Sequence, residues 1–127
     1  MNHGIKGRKF NRRGSHRSAM LINLIKSIIK SESGQMITTI AKAKEVKPLI
    51  EKIITRAKHS ISTEGAQSLH HKRVLCSKLM NDNTIVKRLV DVIAPRYKER
   101  QGGYVSIVRA GFRTGDSAEM ALVTLLD

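Results

Sequence analysis

Apolar residues are almost absent from this chain before Ala19, and then they recur at intervals of three and four. Met20, Leu21, Leu24, Ile25, Ile28 and Ile29 fall on one face at that spacing, which predicts an amphipathic helix. Ser15, with Gly14 before it, is the predicted N-cap. Ser31-Glu32-Ser33-Gly34 stops the pattern, with Gly34 as the turn residue. Gln35-Met36-Ile37-Thr38-Thr39 is short, apolar and β-branched, the pattern of a strand. A second helix is predicted from near Thr39 to about Ser60, with Ala43, Val46, Ile50, Ile53, Ile54, Ala57 and Ile61 as its inner stripe. Pro48 lies inside that stripe and removes one helical hydrogen bond, so a bend or a late helix start is expected there.

A third helix is predicted over Ala66 to Leu79, with Leu69, Val74, Leu75 and Leu79 as core contacts. Asn81-Asp82-Asn83 interrupts it, and Asp82 or Asn83 can cap a fourth helix that runs through Ile93 and ends at Pro95. After the Gly102-Gly103 turn the period changes to that of strands. Tyr104 to Ala110 and Met120 to Leu126 form two of them, joined by a loop over Gly111 to Glu119. Two strands alone are marginal, so pairing with the strand at 35–39 and cover from the helices are needed. The expected product is an α+β fold, about four helices packed on a small three-stranded mixed sheet. One globular domain over 15–127 follows an extended basic arm over 1–14.

Charge changes the picture from fold to partner. The 127 residues carry 24 Lys and Arg against 10 Asp and Glu, a formal net charge of +14. No acidic residue occurs before Glu32, while eight of the Lys and Arg do. A segment so poor in apolar residues cannot fold alone, and its like charges repel. Nucleic-acid backbone removes both obstacles. Arg12, Arg13, His16 and Arg17 crowd a helix start, where positive charge opposes the dipole; a phosphate docked there reverses that interaction and accepts free backbone N–H groups. The glycines at 4, 7 and 14 allow close backbone approach. Basic residues then continue through the body to Arg113, which suggests a domain embedded in polyanion on several sides.

Other chemistries find little support. Cys76 is the single cysteine, so neither an intramolecular disulfide nor a thiolate zinc site can form, which fits a reducing compartment. The apolar run Met20 to Ile29 is too short for a bilayer and lacks a cleavage site after it, so a soluble intracellular chain is expected. There is no phosphate-binding loop ending in Lys-Ser or Lys-Thr. Asp116 and Glu119 read as a turn residue and a solvated charge. His70 and His71 diverge by about 100° on a helix and suit solvent or phosphate more than metal. No enzymatic activity, cofactor or metal is expected. A helix-turn-helix over 66–93, reading DNA with Thr84, Lys87, Arg88 and Asp91, is the alternative, and a membrane-surface role for the first helix is a minor one. Aromatics make up only 3% of the chain, which disfavours base stacking on a sheet. Charge on all sides fits folded RNA better than one groove of a duplex.

Four blocks in order then carry a resemblance. Gly7-Arg8-Lys9-Phe10-Asn11-Arg12 with Ser15-His16-Arg17 and Ala19-Met20 resembles the opening of the bacterial-type large-subunit ribosomal protein seventeen family. Thr38-Thr39 with Ala41-Lys42-Ala43-Lys44-Glu45 is similar to its next block. Ala94-Pro95-Arg96-Tyr97, Arg100 and Gly102-Gly103-Tyr104 are similar to its third. Gly115-Asp116, Met120-Ala121 and Asp127 are similar to its ending. Phe10, Gly14, Ile22 and Ser106 depart from the pattern, the last two replacing Arg. The resemblance implies a structural constituent of the large ribosomal subunit, bound to large-subunit rRNA near the polypeptide exit tunnel and touching neighbouring ribosomal proteins. The cytoplasmic ribosome is the expected location, with an organellar ribosome left open. From charge and family blocks together, the residues expected to contact RNA are His3, Lys6, Arg8, Lys9, Asn11, Arg12, Arg13, Ser15, His16, Arg17, Lys42, Lys44, Arg73, Arg96, Arg100, Tyr104 and Arg113.

Overall fold

The way the chain returns after its first helix sets the architecture of the computed structural model, which describes residues 3–127. Met1 and Asn2, the first two positions of the predicted arm, lie outside it. Helix α1 (Gly14–Lys30) ends in a turn, strand β1 (Gln35–Thr39) runs back, and α2 (Ile40–Ser62) follows at once. Gly34 makes the turn at φ +66, and its carbonyl accepts the Leu125 N–H at 2.8 Å. A Cβ at that position would meet Leu125 at 3.3 Å, so backbone angle and space both select glycine. A 17-residue helix spans about 25 Å and a five-residue strand about 17 Å, so α2 begins near the level at which α1 began.

Helix α3 (Ala66–Lys78) folds back along α2, where the Ser68 hydroxyl donates to the Ser60 carbonyl at 2.7 Å. Helix α4 (Asn83–Arg88) is capped by Asp82, whose carboxylate accepts the Ile85 N–H at 3.3 Å. It continues through one π-type turn (Leu89–Ile93) into a last α-turn, α5 (Ala94–Arg96). Pro95 therefore does not end the helix as predicted. The carbonyl four residues before it belongs to Asp91, an exposed position where water can replace the missing N–H. The widened turn instead sends the Ala94 N–H to the Leu89 carbonyl. Pro48 likewise lies inside α2, which starts at Ile40, so there is no late start.

Strands β2 (Val105–Phe112) and β3 (Glu119–Leu125) complete a sheet in the order β1-β3-β2. Both pairings are antiparallel, so the sheet is not mixed as predicted. A mixed sheet would need β1 beside β2. The centre goes instead to β3, whose Ala121, Val123 and Leu125 are all buried, while β2 leaves its second half exposed at the edge. A bulge between Arg109 and Phe112 carries Gly111 at φ +82, and the extra residue bends that edge strand.

Helix α2 lies at the centre of the core. Its predicted stripe, Ala43, Val46, Ile50, Ile53, Ile54 and Ala57, is buried throughout, and Ile61 is partly so. The helix packs on α1, α3, the π-turn, α5 and all three strands. Two predicted core contacts of α3 fail: Leu69 is 47% exposed and Val74 only half-buried. That helix packs chiefly on α2 and α4, so Leu75 and Leu79 suffice as a narrow buried stripe. Cys76 beside them is half-buried, with its thiol 3.1 Å from Asn83 Oδ1.

Two polar links hold α4 to α1. Arg88 donates to the Ile29 and Ser31 carbonyls at 2.6 and 3.3 Å, capping the end of α1. Asp82 pairs with Lys26 at 3.3 Å. The Ile85 N–H, foremost, and then Lys26 hold the Asp82 carboxyl below its usual 3.8. A depressed carboxylate stabilises the fold fully above that unfolded value and loses the contribution as pH falls through the lower folded one. Asp82→Asn should therefore lower Tm by a few degrees at pH 7, and the gap to the natural chain should close on acidification below pH 3.8, checked by thermal melts across pH.

Candidate nucleic-acid interface

The first helix starts two residues earlier than predicted. Its N-cap is Arg13, extended at φ −62 and ψ 156, and the Arg17 N–H bonds to the Arg13 carbonyl at 2.9 Å. Ser15 thus sits in the first turn, because Gly14 is itself helical. No side chain caps the helix and no acid occupies its first turn. The same holds for α2, whose N-cap Thr39 makes no side-chain bond. The starts of α1 and α2 thus present N–H groups and dipole-positive ends that no side chain among the described residues caps.

Residues 3–13 contain neither helix nor strand. They hold one tight turn, in which the Arg12 N–H reaches the Lys9 carbonyl at 3.1 Å. Phe10 and Asn11 inside it take φ 53 and 52, left-handed values that are costly for a residue as bulky as Phe. Guanidinium groups clasp this turn: Arg12 donates to the Phe10 carbonyl at 3.2 Å, and Arg17 to the Arg12 carbonyl at 3.4 Å. Of the three glycines, Gly4 and Gly7 adopt positive φ and Gly14 does not. Arg8 meets Glu45 of α2 at 3.7 Å, which lays the segment against the turns that carry Lys42 and Lys44. Arg8 precedes Gly14 by six residues, a reach of at most about 21 Å. The segment therefore links both open helix starts at one end of the molecule.

Its cations are largely unmatched. Among the described residues, four of the 24 Lys and Arg lie in ion pairs: Arg8, Lys26, Arg109 and Arg113. Lys6, Lys9, Arg12, Arg13 and Arg17 are not among them. His3, Asn11, Ser15 and His16 are exposed on the same stretch. The remaining predicted contacts are dispersed over the body. Arg73 is exposed on α3, Arg96 on α5 and Arg100 in the loop that follows.

Arg113 and Tyr104 differ from expectation. Arg113 grips Asp116 through two bonds of 2.9 and 2.7 Å, and this grip, with the Ala118 N–H, holds the Asp116 carboxyl at about 2. Its charge is already answered. Glu119 is matched in the same way by Arg109 at 3.2 Å, so the acid pair near the loop is two separate ion pairs. Tyr104 is 1% exposed, with its ring 5.0 Å from that of Tyr97, and it has no face left for RNA. Its hydroxyl accepts from Lys58 at 2.8 Å and donates to the Arg100 carbonyl at 3.3 Å. The family block placed Tyr104 among the expected RNA contacts, but the ring is needed to fill the seam between α2 and the sheet.

The helix-turn-helix has no recognition helix to spare. Ile85, Val86, Leu89, Val90 and Ile93 of that segment are core, and Arg88 is spent on α1. Sequence reasoning also missed Arg56. Its guanidinium donates to His71 Nδ1 at 3.3 Å across the α2–α3 seam; the three-residue spacing of Arg56 and His59 was the available signal. No group of three or more metal-ligating side chains occurs among the described residues. Tyr104→Phe should cost about 1 kcal/mol of stability through the lost hydroxyl bonds, read by urea unfolding. RNA affinity should not change.

Comparison with known proteins gives the chain a family. The family model described as Ribosomal protein L17 matches residues 20–126. A protein of Petrotoga mobilis named large ribosomal subunit protein bL17 is 46% identical over 130 residues, covering 99% of this chain and 97% of its own. Proteins of the same name from Mesorhizobium japonicum and Maricaulis maris are 44% and 46% identical over 127 residues, covering all of this chain and 82% and 84% of theirs. With a match along its whole length, the chain belongs to the ribosomal protein L17 family, structural and non-enzymatic constituents of the large ribosomal subunit.

Proposed function

We propose that this chain clamps folded large-subunit rRNA near the polypeptide exit tunnel. One observation carries the clamp: two uncapped, acid-free helix starts at one end of the molecule, linked by a segment whose cations are mostly without a carboxylate. Helix starts bind phosphate through backbone N–H groups and dipole together. Arg12, Arg13 and Arg17 beside α1, and Lys42 and Lys44 beside α2, add charge to each seat. Arg73, Arg96 and Arg100 extend backbone contact to other faces. Such contacts fix position and read shape, not sequence. The exit-tunnel location and the cytoplasmic ribosome rest on the family blocks in the sequence.

Neighbouring ribosomal proteins are assigned to the outer face of the sheet. Ile37, Leu122 and Val108 stand in one register row across β1, β3 and β2. Ile37 and Val108 are 63% and 56% exposed, and Phe112 nearby is 73% exposed. In a chain this basic, an apolar row suits a protein surface better than a phosphate backbone.

Removal of residues 1–13 tests the clamp. With about five phosphate contacts in the segment, the log–log salt slope of rRNA binding should fall in magnitude by about 3 to 4 units. Unchanged affinity, slope and subunit incorporation would sink it. The double change Ile37→Glu and Val108→Glu should leave affinity for naked rRNA intact and reduce recovery in washed large subunits, measured by gradient fractionation.

A further inference from the structure

A groove of about 890 Å³ runs along α2, between α1 on one side and α3 on the other. Toward α1 it is apolar, lined by Leu21, Ile22 and Leu49. Toward α3 its character changes. Arg56 and His59 stand three residues apart on one face of α2, and His71 faces them from α3. Arg56 Nη1 lies 3.3 Å from His71 Nδ1, and the His59 and His71 rings meet edge to face at 5.8 Å. Among the described residues, none of the three has a carboxylate within ion-pair distance.

The groups around His71 are nearly all of one sign. Arg56 and His59 face it from α2 and His70 stands beside it on its own helix, while Lys52, Lys78 and Tyr104, whose hydroxyl holds Lys58, line the same groove. Glu51 is the one acid lining the groove. It lies about 8 Å along the helix axis from Arg56 and about 12 Å from His59, toward the α1 end. For Arg56 to donate to Nδ1, that nitrogen must carry a lone pair, so the imidazole is neutral with its proton on Nε2. Burial first, then Arg56 and the two other histidines, lowers the His71 pKa and favours that form. The free protein thus holds a guanidinium and two imidazoles together with no anion to satisfy them.

We propose that Arg56, His59 and His71 form a second phosphate seat, which takes one phosphodiester of the rRNA that the clamp holds. This inference rests on the RNA-binding reading above and adds a site to it. Arg56 lies about 24 Å along α2 from its start, so the two seats take different phosphates. On binding, His71 Nδ1 takes a proton from solvent and releases Arg56, whose N–H groups turn to the phosphate oxygens while His71 Nε2–H donates as well. Binding then becomes proton-linked, tightening as pH falls.

The test uses the full chain and in vitro transcribed large-subunit rRNA, titrated at fixed salt between pH 5.5 and 7.5. Affinity of the natural chain should rise toward acid, and His71→Gln should flatten that rise. Arg56→Gln should weaken binding and lower the salt slope by about 1 unit. His59→Gln, at an exposed position, gives a second reading should the seam variants melt early. If all three variants keep the natural affinity, slope and pH dependence while loss of residues 1–13 does not, the second seat is wrong and the clamp stands. If they bind RNA normally but fail to enter subunits, an acidic protein segment fills the crevice and the phosphate assignment falls. A natural chain that does not bind at all overturns both.

Discussion

Burial of one helix's inner face against nearly every other element is the constraint from which the rest of this structure follows. Helix α2 packs against α1, α3, the π-turn, α5 and all three strands, and its Ala43, Val46, Ala57 and Ile54 are at most 1% exposed. A helix so placed supports its neighbours by dispersion and apolar burial and leaves almost no independent unit in the domain. The small residues Ala43 and Ala57 let elements approach closely, and the larger Ile50 and Ile54 fill the space between them. Two tyrosines close the far end, Tyr97 through its bond to the Leu126 carbonyl and Tyr104 through Lys58 and Arg100.

The same constraint arranges the charges. Because β1 carries the chain back before α2 begins, the starts of α1 and α2 lie at one end, and their dipoles add where neither first turn holds an acid. The apolar side chains point inward, so the Lys and Arg of this small chain must lie outside, and few carboxylates are available to match them. A molecule with that surface repels itself and gains stability from a polyanion that answers the charge. The sheet's outer face is the exception, apolar where the rest is basic. The domain therefore offers different chemistry on different sides.

Much of the fold was legible because its elements follow simple periods. The strand at 35–39, the inner stripe of α2 and the Asp82 cap coincide with expectation. The misses have physical causes. Pro95 was read as a stop, but a π-turn and an exposed carbonyl accommodate it. Leu69 was read as core, but α3 lies at the rim and needs only two apolar contacts. The sheet was expected to be mixed because period-two segments carry no information about which strand takes the centre. Among site residues, Lys6, Arg8, Lys9 and Arg13 are exposed, while Arg12 and Arg17 are half-buried at the turn they clasp. Tyr104 is withdrawn into the core, and Arg113 is held by its own loop.

By itself the sequence determined what local chemistry can determine: where apolar periodicity makes helices and strands, that charge is overwhelmingly positive, and which family the motif blocks resemble. Those properties depend on residue type and short spacing. Only the tertiary structure decided which cations are already matched, since Arg88 finds its carbonyls 57 and 59 residues away. It alone brought Arg56 to His71 across two helices, set β3 between β1 and β2, and joined two helix starts into one surface. Each of these is a contact between distant parts of the chain, chosen by how the buried faces pack and not by any residue's neighbours in sequence.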